Sequence, residues 1–166
     1  MSGVHLHLLV NHAPILGALF ALGLFIASFF YAPDVLRRTA FVVIIGSALA
    51  GGVAYLTGEP AEDAIRRFPG VQRALIHDHE ETAEIALIAM SVLAVLSLGA
   101  LVRWRRATIP RWVAPTAFLC TLLVSGLMAY TGLLGGRIRH TEVRPGATPA
   151  DAAVVEPPRS APPQSD

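Results

Sequence analysis

Four long stretches without charged residues divide the chain, at 1–33, 39–58, 85–102 and 112–136. A helix needs about 20 consecutive apolar residues to cross the roughly 30 Å hydrocarbon core of a bilayer. Each stretch is long enough to cross it, and the third is expected to extend at its N-terminal end. The pattern therefore predicts four transmembrane helices, at about 8–31, 39–57, 80–102 and 112–136.

The connections between these stretches are short. The first contains Pro33, the second contains Pro60 and several acidic residues, and the third ends at Pro110. Short connections make successive helices antiparallel neighbours. We therefore predict an all-α, integral membrane four-helix bundle with up-down-up-down topology over residues 1–142. Residues 143–166 are rich in Pro, Ala and polar residues, so we expect a disordered C-terminal tail.

The composition agrees with a membrane protein. The chain is 54% apolar and only 15% charged, whereas soluble domains carry about a quarter charged residues. The first stretch has neither a basic N-terminal region nor a cleavage pattern, so we expect a membrane span rather than a signal peptide. The net charge of +1 and the absence of a basic cluster argue against nucleic-acid binding. A single cysteine, Cys120, excludes an internal disulfide.

Arginines lie in the connections on both sides of the predicted bundle, so the positive-inside rule discriminates weakly here. The compact connection at 103–111 carries four of them, and the N-terminal segment carries none. This difference favours both termini outside. We therefore expect a multi-pass protein of the bacterial inner (cytoplasmic) membrane with periplasmic termini.

Small residues within the spans predict close helix packing. Gly46 and Ala50 have small-xxx-small spacing in the second span, which also carries Gly51 and Gly52. The fourth span carries Gly126, Gly132, Gly135 and Gly136. In lipid, such residues let two backbones approach each other. We expect them to mediate helix–helix contacts.

All six histidines fall at one end of the predicted bundle: His5, His7 and His12 at the start of the first span, His77 and His79 before the third, and His140 after the fourth. In this topology the starts of the first and third helices and the end of the fourth share one membrane face. Polar residues in membrane spans are functional candidates, and histidine is the commonest metal ligand. The arrangement predicts a cofactor or metal site at this face.

Helical spacing assigns the histidines to different faces. His7 shares a face of the first helix with Pro14 and Ala18, whereas His12 lies on another face. His12 lies deepest in the apolar stretch, and His79 has a strip of small residues on its side that leaves room for a flat group. We therefore expect His12 and His79 near the bundle interior, as the preferred pair of ligands.

Two segments resemble a known family. The segment HLLVNHAPI at 7–15 is similar to the HPxxVHFPI opening of the domain-of-unknown-function 2231 family of predicted bacterial membrane proteins, although Leu8 and Ala13 depart from that pattern. The segment TGLLGGRIRH at 131–140 resembles the family's GWLGGELVYRHG close, without its Tyr and final Gly. The resemblance implies four-helix topology over about 5–142 and carries no activity with it.

The first functional hypothesis is a b-type cytochrome-like electron-transfer protein. Two neutral imidazoles from different helices would ligate the haem iron within the bundle. The expected ligands are His12 and His79, with His7 and His140 as a possible second pair. The other candidate cofactor-binding residues are His77, Arg137 and Arg139 beside the propionates, and Gly51 and Gly52 against the macrocycle. Such a protein would relay electrons between a quinol and a redox protein on the histidine side, as a subunit rather than as a stand-alone enzyme.

Two alternatives remain open. The same face offers imidazole and carboxylate donors for a divalent metal ion, drawn from His12, His77, His79, Glu80, Glu84 and His140. The second alternative is a structural or assembly subunit of a larger membrane complex, whose polar end contacts a partner protein. Nucleophilic catalysis is disfavoured, because Cys120 lies within a span, where its thiol is not activated.

Overall fold

The computed structural model describes residues 3–66, 68 and 70–148, and this part of the chain is helical with no β-strand. Its elements are α1 (Gly3–Val10), α2 (Ala13–Ser28), α3 (Pro33–Leu56), α4 (Gly58–Ile65), α5 (Arg73–Arg103), α6 (Val113–Arg139) and a 3-10 turn (Thr141–Val143). The predicted all-α fold class is confirmed. Helices α3 and α5 both begin earlier than the sequence pattern predicts, at Pro33 and Arg73.

Four helical units are long and apolar enough to cross a bilayer: Val4–Ser28, which joins α1 to α2, and then α3, α5 and α6. Helix α2 packs on α3 and α6, and α5 packs on the same two helices. The four spans therefore form a closed ring of antiparallel neighbours in which α2 and α5 lie diagonally opposite. The protein is a multi-pass membrane protein, and the lipid bilayer is its environment.

The two ends of the bundle differ in composition. At one end, α1 and α5 begin and α3 and α6 terminate; we call this the histidine end. The short helix α4 also lies there and contacts α1. At the opposite end α3 and α6 begin, and the connections contain several arginines; we call this the arginine end.

The outer surface of the bundle is apolar, as expected for contact with lipid. Phe20, Leu49 and Leu123 are all exposed. The interior combines apolar residues with small hydroxyl side chains, which donate to carbonyls of their own helices: Ser97 Oγ donates to Leu93 O at 2.7 Å, and Thr121 Oγ1 donates to Ala117 O at 2.7 Å. These bonds satisfy polar groups where no water can do so.

The glycines at close contacts are only partly the expected ones: Gly51, Gly132 and Gly135 were predicted, whereas Gly17 was not. A Cβ at Gly17 would clash with Ser47 Oγ across the α2–α3 contact, and a Cβ at Gly132 would lie 3.0 Å from Ile15 Cδ1. Gly46 and Gly126 instead have open space at the Cβ position. The prediction that these two glycines mediate helix contacts is therefore wrong, whereas Gly132 does lie at such a contact.

At the arginine end, a network of hydrogen bonds joins the start of α3 to the α5–α6 connection. Asp34 accepts hydrogen bonds from Arg38 Nε and from the Ile109 backbone N–H, both at 2.7 Å. Arg38 also donates to the carbonyls of Trp104 at 2.8 Å and Ala107 at 2.6 Å. The start of α3 is thus held against the α5–α6 connection by charge-assisted bonds.

The chain after α6 turns back onto the bundle. Arg144 Nε donates to the Arg137 carbonyl at 2.8 Å, and its Nη2 donates to Ile138 O at 3.1 Å and Gly70 O at 2.8 Å. These bonds satisfy carbonyls at the C-terminal end of α6. The start of the predicted disordered tail, residues 143–148, is therefore in contact with the bundle. The prediction for 149–166 lies outside the described residues.

Replacement of Gly17 by Ala is expected to destabilise the bundle, because the added methyl group overlaps Ser47, which is only 5% exposed. Overpacking of this kind costs about 1–3 kcal/mol. Gly23→Ala on the same helix is the matched control, because nothing lies within 4 Å of its Cβ position. Thermal unfolding in detergent measures the difference. Equal stability of the two variants would contradict the packing described here.

Candidate functional site

His7 lies on α1, partly buried against the C-terminal turn of α3. Its Nδ1 is 2.9 Å from the Ala54 carbonyl oxygen. Because a carbonyl oxygen can only accept, Nδ1 carries the proton and donates it, and Nε2 of the neutral ring retains its lone pair. Ala54 is in the last turn of α3, where carbonyls have no partner within the helix. The helix end therefore fixes the tautomer of His7.

His79 has the same arrangement on the opposite side of the ring of helices. Its Nδ1 donates to the Thr131 carbonyl of α6 at 3.0 Å, so its Nε2 also retains the lone pair. The imidazole lies directly against Gly135, where a Cβ would be 3.1 Å from His79 Cε1. Gly135 is therefore the residue that admits the ring between α5 and α6.

The two imidazoles are held by different neighbouring helices at the histidine end. His7 bonds to the end of α3, and His79 bonds to α6. The span of His7 includes α2, which lies diagonally opposite α5, the helix of His79. Both histidines are partly buried, and each is held by a backbone carbonyl.

The structure does not bring the other four histidines into this interior. His5 and His12 are exposed. His77 is exposed as well, with its Nε2 3.3 Å from Glu81. His140 is exposed after the end of α6, where its Nδ1 is 2.8 Å from Glu142. The expectation that His12 lies near the bundle interior is wrong, because His12 is exposed, and His7 is the histidine of the first span that is partly buried.

The His140–Glu142 contact lies outside the spans. The pKa of Glu142 is below its ordinary value, because its carboxylate accepts hydrogen bonds from its own backbone N–H and from His140. His140 is thereby engaged with a carboxylate at the surface, and the structure does not support a pair with His7.

Two buried polar atoms near the histidine end lack a hydrogen-bond partner within the described part of the chain. They are Asn11 Oδ1 and Arg137 Nε. Buried polar atoms in native proteins nearly always have a hydrogen-bond partner, so an orphaned one indicates a position where an additional polar group binds. Arg139 differs, because its guanidinium lies over the Phe68 ring at 5.1 Å from the centroid. Of the two arginines that were predicted to contact propionates, Arg137 alone retains an unused buried donor.

The two glycines that were expected beside the macrocycle have different surroundings. A Cβ at Gly51 would lie 3.3 Å from Leu87 Cδ1 and 3.6 Å from Pro14 Cβ, so Gly51 packs helix against helix. Gly52 has nothing within 4 Å of its Cβ position. Sequence reasoning missed the roles of Ala54 and Thr131, since both act through backbone carbonyls that carry no sequence signal.

No group of three or more His, Cys, Asp or Glu side chains with the spacing of a metal site occurs in residues 3–66, 68 and 70–148. A structural or catalytic zinc site takes three or four protein ligands. Among the described histidines, His7 and His79 are the two that are partly buried.

A family model with the description "Predicted membrane protein (DUF2231)" matches residues 3–143. The match includes both segments that carry the resemblance, which is thereby confirmed. No curated protein and no solved structure matches the chain.

Gly135→Ala is expected to be less stable than Gly136→Ala by about 1 kcal/mol. The first substitution places a methyl group against the His79 ring, while the second adds helix propensity in open space. Thermal unfolding in detergent gives the comparison, and the ¹⁵N chemical shifts of the His79 ring report whether its Nδ1 bond is retained. A Gly135→Ala variant as stable as Gly136→Ala with unchanged shifts would show that the ring does not lie against α6.

Proposed function

We propose that this chain, which belongs to the DUF2231 family of predicted membrane proteins, is an electron-transfer protein that holds a b-type haem between His7 and His79. The observation that carries the proposal is the matched hydrogen bonding of two partly buried imidazoles at the histidine end. Each donates its Nδ1 proton to a carbonyl of a neighbouring helix, and each keeps Nε2 available as a ligand.

The donor set favours haem over a bare metal ion. A haem needs only two axial ligands from the protein, because the porphyrin supplies the other four. Two histidines without a third protein ligand match that requirement. A set of only two histidine ligands disfavours the divalent-metal alternative, because a divalent ion requires further donors from protein side chains.

The carbonyls of Ala54 and Thr131 would tune these ligands. A hydrogen bond from Nδ1 to a carbonyl fixes the orientation of a ligating imidazole and makes its Nε2 a stronger donor. Both rings are held in this way before any cofactor arrives. The protein thus bears little cost in ordering the side chains when a cofactor binds.

Arg137 and Asn11 would form hydrogen bonds with the polar edge of the haem. The buried Nε of Arg137 is an unused donor at the histidine end, suited to a propionate carboxylate. Asn11 Oδ1 is an unused buried acceptor on the first span. These orphaned atoms support the fit of a polar-edged cofactor to this site.

The haem would supply one-electron chemistry near the surface of the membrane. We propose that a quinol in the bilayer and a redox protein on the histidine side exchange electrons through it. His7 and His79 would hold this haem, the apolar bundle would keep water from it, and Arg137 would hold a propionate. The protein would act as a subunit of an electron-transfer chain rather than as a stand-alone enzyme.

Purified protein from haem-replete cells is expected to show a Soret band and sharp α and β bands on reduction. His7→Ala and His79→Ala should each lose most of the bound haem, because each removes an axial ligand. The matched control is His12→Ala, an exposed histidine on the same span, which should retain the wild-type spectrum and haem content. A pyridine haemochrome assay measures the haem per chain.

A colourless wild-type protein from such cells would contradict the proposal. Haem loss in His12→Ala but not in His7→Ala would instead assign the ligand to the exposed histidine. Stoichiometric zinc, iron or copper without porphyrin, detected by elemental analysis, would support the metal alternative. A protein with neither haem nor metal would support the structural or assembly role.

We further propose that the histidine end faces the outside of the bacterial inner membrane, with both termini there. Arginines concentrate in the connection at 103–111 at the other end, and basic residues in short connections favour the cytoplasm. In a Cys120→Ser background, Ser160→Cys should react with a membrane-impermeant maleimide in intact cells. Thr108→Cys, at the arginine end, should react only after lysis. The reverse pattern would overturn this orientation.

A further inference from the structure

A cleft of about 410 Å³ opens at the arginine end, between the α2–α3 turn and the start of α6. Arg37 and Arg111 line it together with Ser28, Phe29 and Phe30. It lies at the other end of the bundle from His7 and His79, so it is separate from the proposed haem site. Its lining thus combines two positively charged side chains with two aromatic rings.

Arg37 is a buried cation with unused hydrogen-bonding capacity. Its side chain is only 8% exposed, and its Nε has no partner within the described residues. It donates one bond, from Nη1 to the Ile109 carbonyl at 3.3 Å. The nearby carboxylate, Asp34, already accepts from Arg38 and from the Ile109 N–H. Arg37 also lies within electrostatic range of Asp34, but within the described residues its Nε has no hydrogen-bond partner. Buried charges are normally both paired and hydrogen-bonded.

The surroundings of Arg37 favour an anion. Helices α3 and α6 both begin at this end, and helix N-termini carry partial positive charge that attracts phosphate groups. Arg111 is exposed at the rim of the same cleft, two residues before α6 begins at Val113. Two guanidinium groups at one cleft are suited to bind a phosphate, whose oxygens match their planar donors.

The two phenylalanines of the cleft, Phe29 and Phe30, indicate that the phosphate belongs to a lipid. Phe30 is 75% exposed and Phe29 is 48% exposed, at the end of a transmembrane span. This level of the protein lies near the boundary between acyl chains and headgroups. We propose that the cleft binds the phosphate of an anionic phospholipid, with Arg37 and Arg111 on the headgroup and the phenyl rings beside its acyl chains.

Native mass spectrometry of the full-length protein in detergent tests this site, with phosphatidylglycerol as the probe. Arg111→Gln is expected to weaken phosphatidylglycerol binding about fivefold, which is the typical contribution of one basic residue beside an anionic lipid. Arg37→Gln should weaken it at least as much. Arg105→Gln is the matched control: it removes the same charge at the same end but does not line the cleft, so binding should be unchanged.

Two further probes identify the source of the phosphate. Diacylglycerol with the same acyl chains should not bind at this site, and inorganic phosphate should not displace phosphatidylglycerol. Displacement by inorganic phosphate at concentrations near those of the lipid would assign the cleft to a soluble phosphate compound and overturn the lipid proposal. Wild-type binding by Arg111→Gln would also overturn it; because Arg111 is exposed, this variant tests the site even where Arg37→Gln fails to fold.

Discussion

The functional proposal rests on a hydrogen bond that is made twice, from a histidine Nδ1 to a backbone carbonyl of the adjacent helix. In a bilayer no water is present to satisfy a polar side chain, so an imidazole within the bundle needs a partner in the protein. His7 finds it at Ala54, in the last turn of α3, and His79 finds it at Thr131 of α6. Each bond leaves one ring nitrogen with its lone pair, and this turns two polar residues into a pair of candidate axial ligands.

The two ends of the bundle carry different chemistry because the topology separates the residues that begin and end each helix. All six histidines lie at one end, while the cleft with Arg37 and Arg111 and the N-termini of α3 and α6 lie at the other. Asp34 and Arg38 hold the α2–α3 turn against the α5–α6 connection. This network engages Arg38 through its Nε and Nη2, whereas the Nε of the adjacent Arg37 has no partner within the described residues.

Much of the fold follows from the sequence, because hydropathy and short connections together determine four antiparallel spans. The partly buried histidine of the first span does not follow from depth in the apolar stretch, which favours His12 over His7. His7 shares its face with Pro14 and Ala18, both of which are buried, and that pattern was the better guide. The carbonyl partners and the contact of Gly135 with His79 depend on how α5 and α6 are aligned, which composition and periodicity do not determine.

The central claim is that His7 and His79 share one interior site from which His12 is excluded, and a distance-sensitive crosslink tests it most directly. In a Cys120→Ser background, His7→Cys combined with His79→Cys should be joined within one chain by a short bifunctional thiol reagent. The product is identified by mass spectrometry of the digested protein. The account predicts this crosslink and predicts little or none for His12→Cys with His79→Cys. Efficient joining of the second pair and none of the first would contradict it.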